Sequence, residues 1–289
     1  LKVIRQVSSH TIDSYRDCLN SFINYLERIE NVGRKKISFH NFEKETIKRY
    51  QTWMVMEQGL APKTCNLRLT AIRAFLEYAA QEYLWIMPVY TDACTIVGVK
   101  TTNHAIEYFE PNEMTALLAA PSGNNKTDRR NQMMLIFLYD TAARVAEARQ
   151  VKVSDLHLDA EVPYVTLLGK GRKYRNIPLM DKTILHLKRF LKDFHGSELK
   201  TDMPLFYSKI HGQVHELSSD TFEKMIKRYA AQCRAGGYPM PDNVHCHMIR
   251  KTRAMDLYRE GVPLTHIQQL LGHENISTTS GFYAFATLD

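Results

Sequence analysis

Apolar residues recur at helical spacing along the first 103 residues of the chain. Between residues 11 and 29 they mostly stand three or four positions apart, at Ile12, Tyr15, Leu19, Phe22, Ile23 and Leu26. This spacing predicts an amphipathic helix. The same pattern predicts two more long helices, over residues 39–58 and 64–83. In the last of these we expect Leu67, Ile72, Phe75, Leu76 and Ala79 to face inward. The first part of the chain is therefore predicted to be an all-helical domain.

Residues 84–106 break this pattern. Pro88 and Gly98 interrupt the helical spacing, and a polar run follows over residues 100–104. Such a composition is typical of a linker between domains. The sequence therefore predicts a helical domain over residues 1–103, with its linker from about residue 84, and a second domain over residues 104–289.

The second part of the chain mixes helical and strand patterns. A helix is expected to open at Glu110, and residues 131–143 are apolar almost all round, which predicts a buried helix with Arg144 at its end. Two β-rich runs, 162–168 and 174–179, flank a glycine-containing segment and predict a hairpin. The basic residues at its tip are Lys170, Arg172, Lys173 and Arg175. With further helices near 185–194 and 222–231, the predicted fold is mainly α with a small antiparallel β-sheet.

The last forty-five residues concentrate the candidate chemistry. His247 and Arg250 are three positions apart, so a helix would place them on one face. Gly261 is expected to end that helix, and Gly272 to end the next one, immediately before His273. Tyr283 follows in a short aromatic cluster. Imidazole, guanidinium and phenol groups together suit nucleophilic attack on a phosphodiester without a metal.

Charge and cysteine content narrow the class of protein. The net charge of +7 and the isoelectric point of about 9.0 favour a polyanionic partner. The sequence has no apolar run of about 18 residues and therefore predicts no membrane span. Five scattered cysteines without a CxxC pair indicate a reducing cytosol. The chain begins at Leu1, and we expect it to be a piece of a longer protein.

A zinc site is the rival interpretation of the C-terminal histidines. Its ligands would be His245, Cys246, His247 and His273. Arg250 would place a cation beside the metal, so the metal-free interpretation is favoured.

The order of these motifs resembles that of the tyrosine recombinase (phage integrase) family of DNA strand-transfer enzymes. The resemblance covers nearly the whole chain and implies a helical core-binding domain followed by an α+β catalytic domain. Residue by residue, it matches the family's first arginine, hairpin lysine, His-x-x-Arg pair, second histidine and nucleophile to Arg144, Lys170, His247, Arg250, His273 and Tyr283.

Three positions depart from the family pattern. Ala142 stands where glycine is usual, and Lys251 where a histidine often follows the arginine. Tyr283 lies ten residues after His273 rather than nine, and Phe282 occupies the ninth position. Either the segment carries a one-residue insertion or Phe282 replaces the nucleophile. We favour Tyr283, because the residues that follow it resemble the family's.

The resemblance implies a mechanism and a set of partners. Tyr283 would form a 3′-phosphotyrosine link, the two arginines would clamp the phosphate, and Lys170 would protonate the leaving 5′-oxygen, with no cofactor and no metal. The implied partner is double-stranded DNA. We expect the protein to be a tetramer on DNA and a monomer without it. The candidate DNA-contacting residues are Lys63, Asn66, Arg68, Arg73, Arg172, Lys173 and Lys251.

The expected role is integration and excision of a mobile element in the bacterial cytoplasm. Two alternatives stay open. One is an enzyme like the type IB topoisomerases, and the other is a DNA-binding relative without catalysis, if Phe282 stands in the nucleophile's place.

Overall fold

The computed structural model describes residues 9–102, 107–196 and 201–272. Contacts divide the chain into two compact units, Leu1–His104 and Ala105–Asp289. Within the described residues, no helix is long and apolar enough to cross a membrane. The fold is mostly helical with small antiparallel sheets, as predicted.

Unit 1 consists of helices around one aromatic-rich core. Its α-helices are α1 (Ser9–Arg28), α2 (Lys44–Met56), α3 (Pro62–Glu82) and α4 (Met87–Cys94). Short 3-10 turns lie at Arg34–Lys36, Phe39–Phe42 and Leu84–Ile86. Phe22, Tyr50, Ile72 and Leu76 are fully or almost fully buried where these helices meet. The predicted three long helices are therefore present, and burial of their apolar faces builds the core.

Two details of the predicted helices are wrong. The second helix does not run from residue 39, because Glu43 is extended (φ −63°, ψ 152°) and separates the 3-10 turn from α2. Leu67 does not face inward and is 46% exposed. Asn66 and Leu69 lie on the inward side of α3, and Leu67 points away from that side. A spacing of three or four residues alone does not distinguish these neighbouring positions.

The predicted linker is also wrong over residues 84–96. This segment forms a 3-10 turn and α4, and Ile86, Ala93 and Ile96 are buried in the core of unit 1. Pro88 does not interrupt the helix, since it lies in the first turn, where a missing N–H costs nothing.

Unit 2 carries the remaining elements. Its helices are α5 (Pro111–Ala119), α6 (Lys126–Thr141), α7 (Val145–Gln150), α8 (Asp181–Phe190), α9 (Ser219–Ala235), α10 (Cys246–Arg259) and α11 (Leu264–Leu271). Its strands are β1 (Leu156–His157), β2 (Tyr164–Leu168), β3 (Tyr174–Pro178), β4 (Tyr207–Ile210) and β5 (Gln213–Glu216). Short 3-10 turns occupy Val153–Asp155 and Lys170–Arg172, and a π-helical turn extends α8 over Leu191–His195.

Two antiparallel sheets flank the helices of unit 2. The first has the order β1–β2–β3, with Val165 opposite Ile177, and the second pairs β4 with β5. Val165, Leu167 and Ile177 point into the core, where α6 supplies Met134, Phe137 and other buried residues. The buried helix predicted over residues 131–143 is confirmed as α6, but it begins earlier, at Lys126, and ends at Thr141.

The hairpin between β2 and β3 is confirmed, but its tip differs from the prediction. Residues 170–172 form a 3-10 turn in which Gly171 (φ 74°) and Arg172 (φ 58°) have positive φ. Gly169 is extended (φ −86°, ψ −174°), so the left-handed residues of the turn are Gly171 and an arginine. Gly169 is therefore not needed for a positive φ.

Candidate active site

Arg144 is presented by the junction between α6 and α7. Ala142 ends α6 in the left-handed conformation (φ 48°, ψ 29°), and Arg144 is extended before α7 begins. The left-handed position explains why glycine would be favourable there. The chain then turns so that Glu147 accepts hydrogen bonds from the Arg144 backbone N–H and from its Nη1, each at 2.8 Å.

Glu147 is a buried carboxylate shared by two arginines. It is 4% exposed and also accepts from Arg175 on β3, at 3.0 Å from Nη1 and 2.7 Å from Nη2. Burial alone would raise the pKa of Glu147, but the hydrogen bonds from Arg175 and Arg144 outweigh it and lower the pKa below its usual value. The carboxylate therefore stays ionised and holds both guanidinium groups.

Arg250 lies in the first turns of α10 and is 3% exposed. Its Nη1 donates to Ala142 O at 2.7 Å, and its Nη2 donates to Leu271 O. Burial and the neighbouring Arg144 lower the pKa of Arg250 to about 9, which leaves the guanidinium protonated at neutral pH. Arg250 thus carries a buried positive charge whose hydrogen-bond partners are backbone carbonyls.

The backbone carbonyls of three consecutive residues at the end of α11 accept hydrogen bonds from Arg144, Arg175 and Arg250. Arg175 Nε donates to Leu270 O at 2.9 Å, Arg250 to Leu271 O, and Arg144 Nη2 to Gly272 O at 3.5 Å. The end of α11 is the negative end of its dipole, which favours cations. Within the described residues the cluster contains three guanidinium groups and one carboxylate, a surplus of two positive charges, and two of the three guanidinium groups bind the carboxylate directly.

His247 stands at the rim of this cluster on α10, with a solvent-exposed face. Burial and the positive charges of Arg250, Lys251, His245 and Arg144 lower the pKa of His247 to about 4. All four of these positive charges disfavour a proton on the ring. The imidazole is therefore neutral at neutral pH and able to accept a proton.

The structure brings together three of the six predicted catalytic residues, Arg144, His247 and Arg250. The Lys170 backbone lies in the 3-10 turn between β2 and β3. The preceding residue, Gly169, lies close to Arg175 and Glu147 of this cluster. His273 and Tyr283 lie outside the described residues, as does Phe282. His273 is the residue after Gly272, whose carbonyl Arg144 contacts.

The predicted DNA-contacting residues fall into two groups. Lys63, Arg172 and Lys173 are exposed, while Arg68 and Lys251 are half-buried. Asn66 and Arg73 have structural roles inside unit 1: the Asn66 amide exchanges hydrogen bonds with the Val99 backbone, and Arg73 donates to Ala93 O and Ile96 O. Their side chains fasten residues 93–99 to α3, and their contact with DNA stays a prediction.

The described part of the chain contains no cluster of side chains that could form the rival zinc site. Within residues 9–102, 107–196 and 201–272, no group of three or more His, Cys, Asp or Glu side chains could hold a metal ion. Cys246 is buried, its backbone N–H lies 3.3 Å from both carboxylate oxygens of Glu223, and His273 falls outside these residues.

Sequence reasoning missed Glu147 and treated Arg175 only as a basic residue of the hairpin tip. A signal for Glu147 exists, since it lies three residues after Arg144 at the start of a helix. No local pattern indicates that Arg175, 28 residues further on, reaches the same carboxylate.

A cluster of this kind can bind an oxyanion and stabilise added negative charge. Arginine forks recognise phosphate oxygens in pairs, and their charge has most effect where water is excluded. Arg250 is buried away from water, and Arg144, about one-third exposed, is open to an incoming oxyanion. A neutral imidazole at the rim adds a proton acceptor.

Comparisons with known proteins agree on one family. Residues 107–287 match the Phage integrase family, and residues 2–92 match the Phage integrase SAM-like domain. The chain is 32% identical over 282 residues to the tyrosine recombinase XerD of Halalkalibacterium halodurans, covering 96% of this chain and 88% of that protein.

Solved structures show the same fold. The site-specific recombinase XerH, bound to its difH substrate, covers 97% of this chain and 78% of its own at 23% identity, with a TM-score of 0.76. The integrase of transposon Tn1549 covers 97% and 91% at 16% identity, with a TM-score of 0.71. With its family domains matched over most of the length, the chain belongs to the phage integrase (tyrosine recombinase) family of DNA strand-transferring enzymes.

Proposed function

We propose that this protein is a site-specific DNA recombinase that cuts and rejoins strands through a 3′-phosphotyrosine intermediate. The observation that carries the proposal is the surplus positive charge of Arg144, Arg175 and Arg250 around Glu147. A buried surplus of this kind is costly unless an anion completes it. A DNA phosphodiester supplies that anion.

Arg144 and Arg250 would take the two non-bridging oxygens of the scissile phosphate. Each guanidinium has five N–H donors, and the protein contacts described above use only some of them. The remaining donors suit a bidentate clamp on phosphate. In the pentacoordinate transition state the same oxygens gain charge, so the clamp binds the transition state more strongly than the substrate.

Tyr283 would supply the nucleophile, with His247 as the proton acceptor. The phenol oxygen attacks phosphorus, a phosphorus–oxygen bond to Tyr283 forms, and the bond to the 5′-oxygen breaks. A phenol has a pKa near 10, so its proton must leave during attack. The neutral imidazole of His247 suits this task. We assign Lys170 to protonating the leaving 5′-oxygen and His273 to hydrogen bonding a phosphate oxygen.

The covalent link conserves the energy of the broken bond. A 5′-hydroxyl of another strand can attack the phosphotyrosine, release Tyr283 and restore a phosphodiester without ATP. Because recombination requires two duplexes to be cut, we propose that the protein is monomeric alone and tetrameric on DNA. We further assign residues 1–103 to core-site DNA binding and residues 104–289 to catalysis.

We also propose that the DNA processed belongs to a mobile element, a role supported by the match to the Phage integrase family. Deleting the gene should then abolish the excised circular form of the element that carries it, as detected by amplification across the circle junction. Normal circle formation without the gene would contradict this role.

The test of the central step is a covalent adduct on a nicked suicide substrate, which loses the fragment needed for religation. The wild-type protein should give an adduct resistant to denaturation, and Tyr283→Phe should give none while still binding DNA. An adduct formed at normal level by Tyr283→Phe would exclude Tyr283 as the nucleophile. If the wild-type protein gives no adduct but Phe282→Tyr does, Phe282 stands in the nucleophile's place and the chain is a non-catalytic relative.

A further inference from the structure

Arg175 joins three separate parts of unit 2 through one guanidinium group. From β3 it donates two hydrogen bonds to Glu147 and a third, through Nε, to Leu270 O at the end of α11. Its side chain is 14% exposed. The roles proposed above give this residue no step of the reaction, although its contacts reach Glu147, which holds Arg144, and the end of α11, directly before His273.

The first contact leads to Arg144. Glu147 binds Arg175 with both carboxylate oxygens, and the same oxygens accept from the Arg144 backbone and side chain. The position of Glu147 therefore fixes where the Arg144 guanidinium stands. Without Arg175, the carboxylate would lose two of its four hydrogen bonds and could rotate away from Arg144.

The second contact leads to Lys170. A β-carbon added to Gly169 would lie 3.2 Å from Arg175 Nη1, 3.3 Å from Lys173 O and 3.6 Å from Glu147 Oε1. Because the Gly169 backbone is extended, any residue could adopt its conformation, so a larger residue is disfavoured there by crowding rather than by φ. The backbone just before Lys170 thus rests directly on the Arg175–Glu147 pair.

The third contact leads to the end of α11. A β-carbon on Gly272 would lie 3.2 Å from Arg175 Nη1 and 3.4 Å from its Cδ, and Gly272 also has positive φ (61°). The next residue in the chain is His273. Two glycines, each directly before a candidate catalytic residue, therefore pack against the same guanidinium group.

We propose that Arg175 is a positioning residue that sets Lys170 and Arg144 relative to each other, and that Gly169 and Gly272 are small so that it can do so. This inference rests on the catalytic roles proposed above. Arg175 acts through its neighbours, because its Nε and both Nη atoms are already engaged with protein groups. Lysine cannot reproduce this set of contacts, since one ammonium group cannot span Glu147 and Leu270 O with a planar fork.

The test is single-turnover cleavage by Arg175→Lys on two substrates. One carries the ordinary phosphodiester, and the other has sulfur in place of the 5′-bridging oxygen, which leaves without needing a proton. We expect Arg175→Lys to cut the ordinary substrate at least about 10-fold more slowly, since small misplacements of catalytic groups cost up to about 100-fold. The loss should be clearly smaller on the sulfur substrate, because Lys170 is bypassed, and the affinity for DNA should stay within about twofold.

Two further variants keep the test decisive. Arg130→Lys is the matched control, since Arg130 is a half-buried arginine that donates to Tyr207 O and Asn131. It should cut both substrates at the wild-type rate even if the melting temperature falls. Gly169→Ala alters no charge and should reproduce the Arg175→Lys pattern, so it decides the question if Arg175→Lys does not fold.

The inference is overturned if Arg175→Lys cuts within about twofold of wild type, or if its loss is equal on both substrates. It is also overturned if Arg130→Lys loses as much activity at the same change in melting temperature. These results leave the proposed function intact, because that function fails on a different observation, the absence of a wild-type adduct.

Discussion

Two arginines, one in each unit, have the same kind of hydrogen-bond partners and very different surroundings. Arg73 on α3 donates to the carbonyls of Ala93 and Ile96, and Arg250 on α10 donates to those of Ala142 and Leu271. Arg73 fastens a neighbouring segment. Arg250 is almost completely buried beside Arg144 and Arg175, whose charges help to lower its pKa.

The comparison shows that a candidate site is defined by several charged side chains that meet at one place, rather than by the type of any one residue. The sequence predicts Arg73 as a residue that contacts DNA and Arg250 as a catalytic residue that clamps the scissile phosphate. In the structure, Arg73 only joins α3 to a neighbouring segment, whereas Arg250 belongs to a group with more positive than negative charge. Glu147 holds two of the guanidinium groups in place. An incoming phosphate would neutralise the excess positive charge.

Replacing each of these arginines with lysine gives the largest expected difference. Arg250→Lys should slow cleavage about 100-fold or more, because an ammonium group cannot grip two phosphate oxygens as a fork does. Arg73→Lys should lower the free energy of unfolding by about 1 kcal/mol through its lost hydrogen bonds and leave the cleavage rate nearly unchanged. Single-turnover cleavage and urea unfolding measure the two effects, and equal cleavage losses would erase the distinction.

Removing the shared carboxylate should have the next largest effect. Glu147→Gln leaves Arg144 and Arg175 buried or half-buried without a counter-charge, which we expect to lower the free energy of unfolding by about 3 kcal/mol. Glu45→Gln is the control, since Glu45 pairs with Lys48 on the exposed surface, and its urea unfolding curve should match that of wild type. A Glu147→Gln protein as stable as wild type would show that the arginines do not depend on this carboxylate.

The pH dependence of stability tests the electrostatic environment of His247. Its pKa of about 4 lies below the usual 6.5, so between these values the unfolded chain binds a proton that the folded protein does not. Stability contributed by neutral His247 is therefore complete above about pH 6.5 and falls as the pH drops towards 4. We expect His247→Asn to flatten the decline in unfolding free energy over this window, and identical slopes would contradict the low pKa.

The smallest expected effect concerns Ala142. Glycine there would relieve a left-handed alanine, a gain of about 1 kcal/mol, and would remove a fully buried methyl group, a loss of about 0.8 kcal/mol. The free energy of unfolding of Ala142→Gly should stay within about 1 kcal/mol of wild type. A larger loss in thermal or urea unfolding would mean that the methyl group packs more tightly than its burial indicates.

The sequence predicted the parts of the fold that depend on local periodicity. The long helices of unit 1, the buried α6, the β2–β3 hairpin and the stops at Gly261 and Gly272 all follow from spacing and turn chemistry, and both glycines have positive φ. The sequence predicts residues 84–96 as part of a linker because a proline usually interrupts a helix, whereas Pro88 lies in the first turn of α4. The short strands β1, β4 and β5 lie in stretches of two to four residues, too short for a clear alternation.

The candidate site was predictable only as a set of residues, not as an arrangement. His247 and Arg250 are close in sequence, but the contacts of Arg250 with Ala142 and of Arg175 with Glu147 join residues 108 and 28 positions apart. No local pattern encodes such contacts, because they depend on how α10 and β3 pack against α6 and α7.

The most direct measurement of the central claim uses a substrate in which one non-bridging oxygen of the scissile phosphate is replaced by a methyl group. This change removes the negative charge that Arg144 and Arg250 are proposed to neutralise. Arg250→Ala should be severely slowed on the ordinary phosphate and should cut the neutral methylphosphonate at a rate much closer to that of the wild-type protein. An equally severe loss on both substrates would contradict charge neutralisation by this arginine.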